Sequence, residues 1–159
     1  IAADMQPGSG AWDEVFWAYG YQALSSRLPL GFFATFAYRL TGTNDRFGNR
    51  LESYSFGNSV TSALGVSLKH GTLVDYMISL RLRHAGVDRL GAEDVPNSGG
   101  TWLNLSPAIN LYITGPLSIR PSAQLPLYRN VNGIQPTTSY TLAFSLFYNI
   151  EETREFGVL

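Results

Sequence analysis

The sequence predicts an all-β fold: an antiparallel up-and-down transmembrane β-barrel, of which this chain supplies about seven long strands. Three observations predict it. Apolar residues take every second place over runs of about twelve residues, roughly twice the usual strand length. The intervening faces are small and polar with few charges. The connections alternate between short and long.

The run Leu73–His84, "LVDYMISLRLRH", carries the pattern most clearly. Val74, Tyr76, Ile78, Leu80 and Leu82 alternate with Asp75, Ser79, Arg81 and Arg83, and Met77 is the one apolar intruder. Runs of this kind, punctuated by Gly, Pro, Asn and Asp, place strands at 12–23, 30–41, 53–69, 73–85, 101–114, 117–129 and 138–150. A tilted strand needs about 9–11 residues to cross a bilayer, so these are long enough.

Parity divides each strand. In the first, Val15, Trp17, Tyr19 and Tyr21 form the apolar face, opposite Glu14, Phe16, Ala18, Gly20 and Gln22. In the second, Phe32, Ala34, Phe36, Tyr38 and Leu40 oppose Gly31, Phe33, Thr35, Ala37 and Arg39. The third sets Tyr54, Phe56, Val60, Leu64, Val66 and Leu68 against a Ser-, Gly- and Ala-rich face ending in Lys69. The fifth sets Leu103, Leu105, Pro107, Ile109, Leu111 and Ile113 against Trp102, Asn104, Ser106, Ala108, Asn110 and Tyr112. The sixth sets Leu117, Ile119, Ala123, Leu125 and Leu127 against Ser118, Arg120, Ser122, Gln124 and Tyr128. The seventh sets Tyr140, Leu142, Phe144, Leu146, Tyr148 and Ile150 against Thr141, Ala143, Ser145, Phe147 and Asn149. Pro107 lacks an N–H in mid-strand, which predicts a bulge or an irregular ladder there.

Residues 24–29, 70–72 and 115–116 form the short connections. The long ones are "GTNDRFGNRLE", "GVDRLGAEDVPNSGG" and "NVNGIQPTT". Short turns at one end and long loops at the other match an outer-membrane barrel with periplasmic turns and extracellular loops. Tyr21, Tyr38, Tyr54, Tyr140 and Tyr148 stand near the ends of apolar faces, as interfacial girdles do. Topology then predicts a single domain over residues 1–159 at a bacterial outer membrane, with 151–159 as a periplasmic tail. A start on the extracellular side with an odd strand count predicts a C-terminal portion of a larger barrel. Missing N-terminal strands or another chain would close it, since open edges are not tolerated in lipid.

Composition narrows the function. Charged residues make up 14% and aromatics 13%, and the net charge of −1 gives no reason to expect nucleic acid. Cysteine is absent, which excludes disulfides and thiolate metal sites. No run of 18 apolar residues exists to form a membrane-spanning helix. The opening "IAADMQPGSG" lacks the basic start and apolar core of a secretory signal.

The expected lipid-facing residues are Phe36, Tyr76, Ile78, Leu80, Leu105, Ile109, Leu125 and Phe144. The expected lumen residues are Arg39, Asp75, Arg81, Arg83, Arg120 and Gln124. An arginine turned into lipid at the midplane costs about 2–4 kcal/mol, so Arg81 and Arg83 belong on the wet side. Rings of charge set pore selectivity, and these arginines could favour anions; a salt-bridged lining that props the wall is the plainer account. No nucleophile elbow, metal-ligand spacing or cofactor motif is present, so neither an enzyme nor a cofactor is expected. "NDRFGN" and "DRLGAED" pair acids with arginines, as solvated loops do.

One segment resembles a known family. "PNSGGTWLNLSPAINLYITGPLSIRPSAQLPLYRNVNGIQ" (Pro96–Gln135) has Asn97–Gly100, then Trp102 and Leu103, then Ser106–Pro107, the Gln124–Tyr128 "QLPLY" strand and Asn132–Gly133. "GSGAWD" (Gly8–Asp13) precedes it. In that order the motifs resemble the outer-membrane transporter-like family named for the meta pathway of phenol degradation. The resemblance implies a transport β-barrel in contact with outer-membrane lipid and a small, hydrophobic or aromatic solute. The chain departs from the family in lacking upstream strands and in its charged tail "EETREFGVL". A passive outer-membrane channel is the leading expectation. A non-conducting barrel that anchors a partner assembly, and a soluble β-domain that binds a ligand or protein, stand as alternatives.

Overall fold

The computed structural model of the chain describes residues 9–24, 29–47, 52–114 and 116–149. Its strands are β1 (Glu14–Ala23), β2 (Leu30–Leu40), β3 (Thr43–Phe47), β4 (Glu52–Ser55), β5 (Ser59–His70), β6 (Val74–Ala85), β7 (Arg89–Leu90), β8 (Glu93–Asp94), β9 (Gly100–Thr114), β10 (Leu117–Val131) and β11 (Thr141–Tyr148). Seven of them form one sheet in the order β1-β2-β5-β6-β9-β10-β11, every neighbour antiparallel. The fold is therefore all-β and antiparallel, with the predicted up-and-down order. The sheet does not close on itself: among the described residues β1 pairs only with β2, and β11 only with β10. Six antiparallel steps separate those edges, so β1 and β11 run in the same direction.

Strand length follows from uninterrupted alternation. The 12 residues of β6 extend about 40 Å, which projects to about 28 Å at a 45° tilt. The β5–β6 turn is closed by the pair His70↔Val74, and Gly71 supplies a φ of +65°.

One face of the sheet holds Phe32, Phe36, Leu64, Ile78, Leu80, Leu105, Leu125 and Phe144, as register requires. It is exposed: Leu64 is 68%, Ile78 43% and Phe144 68% accessible. The opposite face holds the buried positions, Ala63 at 5%, Ser79 at 9% and Asn110 at 5%. A single layer buries one face only by curling toward it, so the small polar face is the inner one. Aromatic rings fill the gaps left by its glycines, with Tyr21 packed on Gly31 and Phe33 on Gly65. Among the described residues Tyr54 and Ala63 are the only buried hydrophobic ones. Most large apolar side chains of β2, β5, β6, β9, β10 and β11 stand on the outer face, and those of β1 at Trp17, Tyr19 and Tyr21 stand on the inner one.

Several expectations are corrected. The third predicted strand, 53–69, is two strands: Gly57 and Asn58 break it, and β4 leaves for a second sheet of order β3-β4-β7-β8 built from the long loops. Tyr54 is consequently no girdle residue; Phe47 stacks on it at 4.5 Å and Phe56 meets it edge-on at 5.2 Å. In β1 the faces are reversed. Val15, Trp17, Tyr19 and Tyr21 pair with Arg39, Ala37, Thr35 and Phe33 and so stand on the inner face, while Glu14 and Phe16 stand outside. In β10 a register shift between Pro126 and Tyr128 turns Tyr128 outward. The predicted bulge is absent at Pro107, which sits in register opposite Ile78, while the irregular ladder is present on its other side, where β9 and β10 form no pair between Ser122↔Ala108 and Leu125↔Leu105. The 151–159 tail, Ile150 and Gly8 lie outside the described residues.

Candidate functional site: the arginine-lined inner face

Cross-strand register sets the inner face in rows. Ala37, Thr61, Arg83, Trp102 and Arg129 form one row across β2, β5, β6, β9 and β10. Thr35, Ala63, Arg81, Asn104 and Pro126 form the next, toward the turn end. All six predicted lumen residues share this face. Arg39, Arg81, Arg83 and Gln124 come together at its loop end, in a cleft of about 690 Å³. Asp75 and Arg120 lie apart, near the turns. There the Tyr112 hydroxyl donates to Asp75 Oδ2 at 2.8 Å, and the Arg120 guanidinium lies 4.7 Å from the Phe147 ring centre.

Four arginines and one aspartate line the cleft: Arg39, Arg81, Arg83, Arg129 and Asp88. The local acids are engaged already. Asp13, just before β1, forms an ion pair with Arg39 and accepts from the Ser9 hydroxyl at 3.0 Å and the Gly42 N–H at 3.1 Å. Desolvation pushes the Asp13 carboxyl up. The hydrogen bonds from Arg39, Gly42 and Ser9 outweigh it and hold the pKa below the ordinary carboxylate value. Asp88 accepts from the Tyr54 hydroxyl at 2.7 Å and the Gly57 N–H at 2.8 Å. Arg83 lies over Trp102, 5.1 Å from the ring centre. Arg81 has no hydrogen bond or ion pair among the described residues, and its register neighbours are Ala63 and Asn104.

The long loops roof this end. Asn97 takes a φ of +62°, and its side chain accepts from the Ile134 N–H at 2.7 Å. Ser98 accepts from the Asp88 N–H at 2.9 Å, and Gln135 donates to the Gly99 carbonyl at 2.7 Å. The Asn-Ser-Gly-Gly motif is thus a knot joining the second and third long loops. A Cβ on Gly99 would lie 2.5 Å from the Gly86 carbonyl oxygen, and one on Gly57 would also collide with it, so three backbones meet where side chains cannot fit. The "DRLGAED" loop carries the Arg89–Asp94 ion pair at 3.4 Å, exposed on both sides. Among the described residues no cluster of His, Asp or Glu could hold a metal.

Arg129, Trp102 and Tyr140 line the cleft but were not among the predicted site residues. Arg129 was hidden by the bulge, because counting in twos past Pro126 turns it outward; a proline inside a strand is the one signal that could have found it. Alternation alone puts Trp17, Tyr19 and Tyr21 on the other face, and pairing with β2 turns them inward. The sequence matches no protein-family model and no characterised protein.

Proposed function

We propose that this chain forms part of the wall of an outer-membrane β-barrel whose wet inner face conducts small solutes. The observation that carries the proposal is the inverted burial across β2, β5, β6, β9, β10 and β11: most of their large apolar residues point outward while Ser, Gly, Asn and Arg face inward, and β1 alone turns Trp17, Tyr19 and Tyr21 inward. Hydrocarbon stabilises such an outer face, and water would leave it unsupported. Buried inner-face atoms support the same view. Asp75 Oδ1, Ser106 Oγ, Asn110 Oδ1 and Arg120 Nε have no protein partner among the described residues. Each would cost about 1–3 kcal/mol if kept dry, and water in a lumen would satisfy them. The motif order from Gly8 to Gly133 is in keeping with a transport barrel. Because β1 and β11 run parallel, antiparallel closure takes an odd number of further strands, from this or another chain. A second copy placed edge to edge would create a parallel pair, which outer-membrane barrels avoid.

Spin labels test lipid exposure in a chain that has no native cysteine. In bilayers, a label at Ile78→Cys should be relaxed by oxygen, and one at Arg81→Cys by a water-soluble nickel chelate. The reverse pattern would overturn the proposal. Planar-bilayer conductance of the closed barrel then separates a channel from a non-conducting scaffold.

A further inference from the structure

We propose that the loop-end cleft binds a planar organic anion, a monocarboxylate attached to an aromatic ring. The inference rests on the inner face being wet and deepens that reading. Its first basis is uncompensated charge. Arg39 is neutralised by Asp13, and both Asp88 oxygens are occupied, whereas Arg81 has no partner among the described residues. No carboxylate stands beside Arg81 or Arg83 in register: their neighbours are Ala63, Asn104, Thr61 and Trp102. An uncompensated guanidinium beside a low-dielectric wall attracts anions, and its planar fork matches a carboxylate bidentately.

The second basis is the surroundings of those charges. A bare phosphate or sulfate needs only cations and N–H donors. This cleft adds Trp102, which carries Arg83 against its face, together with Tyr140 and Pro126. A flat ring can stack on that guanidinium–indole pair while its carboxylate reaches Arg81. Asn104 and Gln124 supply amide N–H groups beside it. The cleft of about 690 Å³ falls within the range of small-ligand sites, about 300–1,000 Å³. On the same inner face Trp17 and Tyr19 stand in the rows of Arg83 and Arg81, and Tyr21 and Phe33 stand one row nearer the turns, a strip on which the ring could move onward.

The test uses the full chain in detergent micelles with benzoate, benzyl alcohol and sulfate as probes. Calorimetry on the unaltered chain should show saturable benzoate binding. Benzyl alcohol, the same ring without charge, should bind at least about tenfold more weakly, and sulfate should compete poorly. In a Trp12→Phe, Trp17→Phe background Trp102 is the sole tryptophan of the three, and its fluorescence should report benzoate. Arg81→Gln should weaken binding at least about tenfold, with Arg81→Lys intermediate. Equal binding of benzoate and benzyl alcohol would overturn the proposal, as would strong sulfate competition or full affinity in a folded Arg81→Gln variant. The calorimetric comparison needs no variant, so misfolding of Arg81→Gln leaves it intact. Benzoate binding without conductance would keep this site and refute the channel; conductance without benzoate binding would do the opposite.

Discussion

The Tyr54 hydroxyl donates to Asp88 at 2.7 Å and thereby joins the first long loop to the second. Tyr54 is 6% accessible, clamped between Phe47 and Phe56, so its hydroxyl is fixed where Asp88 needs a donor. Asp88 also accepts from the Gly57 N–H, at the point where β4 parts from β5. Tyr54→Phe removes one donor and leaves a charged oxygen short of a partner, a loss of about 1–3 kcal/mol. Asp88→Ala removes both bonds and should cost more. Hydrogen exchange should show β4 and β7 losing protection first in both variants, with β5 and β6 unchanged.

How far the sequence discloses this structure depends on what alternation can carry. In β2, β5, β6, β9 and β11 one parity is almost wholly apolar, so the outer set from Phe36 to Phe144 is legible residue by residue. β1 is apolar on both parities: Phe16 opposes Trp17, and Ala18 opposes Tyr19. Only pairing with β2 fixes its faces, and a one-residue slip exchanges every side chain. β10 follows the same logic within a single strand, since one inserted residue after Pro126 exchanges Tyr128 and Arg129. The grouping of Arg39, Arg81 and Arg83 could be read from strand order and direction. The engagement of Asp13 and Asp88, which leaves Arg81 uncompensated, depends on loop geometry that has no periodic signal.

The Asp13 carboxyl gives a pH dependence of definite sign. Its folded pKa lies below the unfolded one, so it contributes stability above the unfolded value and loses it as pH falls through the folded value. Acid titration of the unaltered chain should therefore show the β1–β2 loop end loosening as Asp13 protonates. Asp13→Asn should remove that acid-dependent step and make the segment equally loose at neutral pH. Exchange rates of amides near Gly42 against pH measure it.

Two glycines separate backbone strain from close contact. Gly71 has a φ of +65° with open space where a Cβ would stand. Gly71→Ala should cost only the strain of that conformation, about 1–2 kcal/mol. Gly99 has a φ of +73° and a Cβ position 2.5 Å from the Gly86 carbonyl oxygen. Gly99→Ala adds a backbone clash of about 1–3 kcal/mol to similar strain. Denaturant titration in micelles should rank the two. The Gly99 variant should also loosen the knot at Asn97 and Gln135, altering the cleft roof, whereas the Gly71 variant acts at the opposite end of the sheet.

Ile78 and Ser79 are adjacent and stand on opposite faces, which makes them the sharpest test of what surrounds the sheet. Ile78 is 43% accessible on the outer face. If hydrocarbon covers that face, Ile78→Arg should destabilise the bilayer-inserted protein by about 2–4 kcal/mol. If water covers it, an exposed isoleucine replaced by arginine should change stability by no more than about 0.5 kcal/mol. Ser79, 9% accessible on the inner face beside Ser106, provides the control. Ser79→Ala removes a small hydroxyl without changing size and should have a minor effect in either medium. Refolding titrations into vesicles measure both variants on one scale, and a near-neutral Ile78→Arg would refute the lipid-facing assignment of the whole outer face.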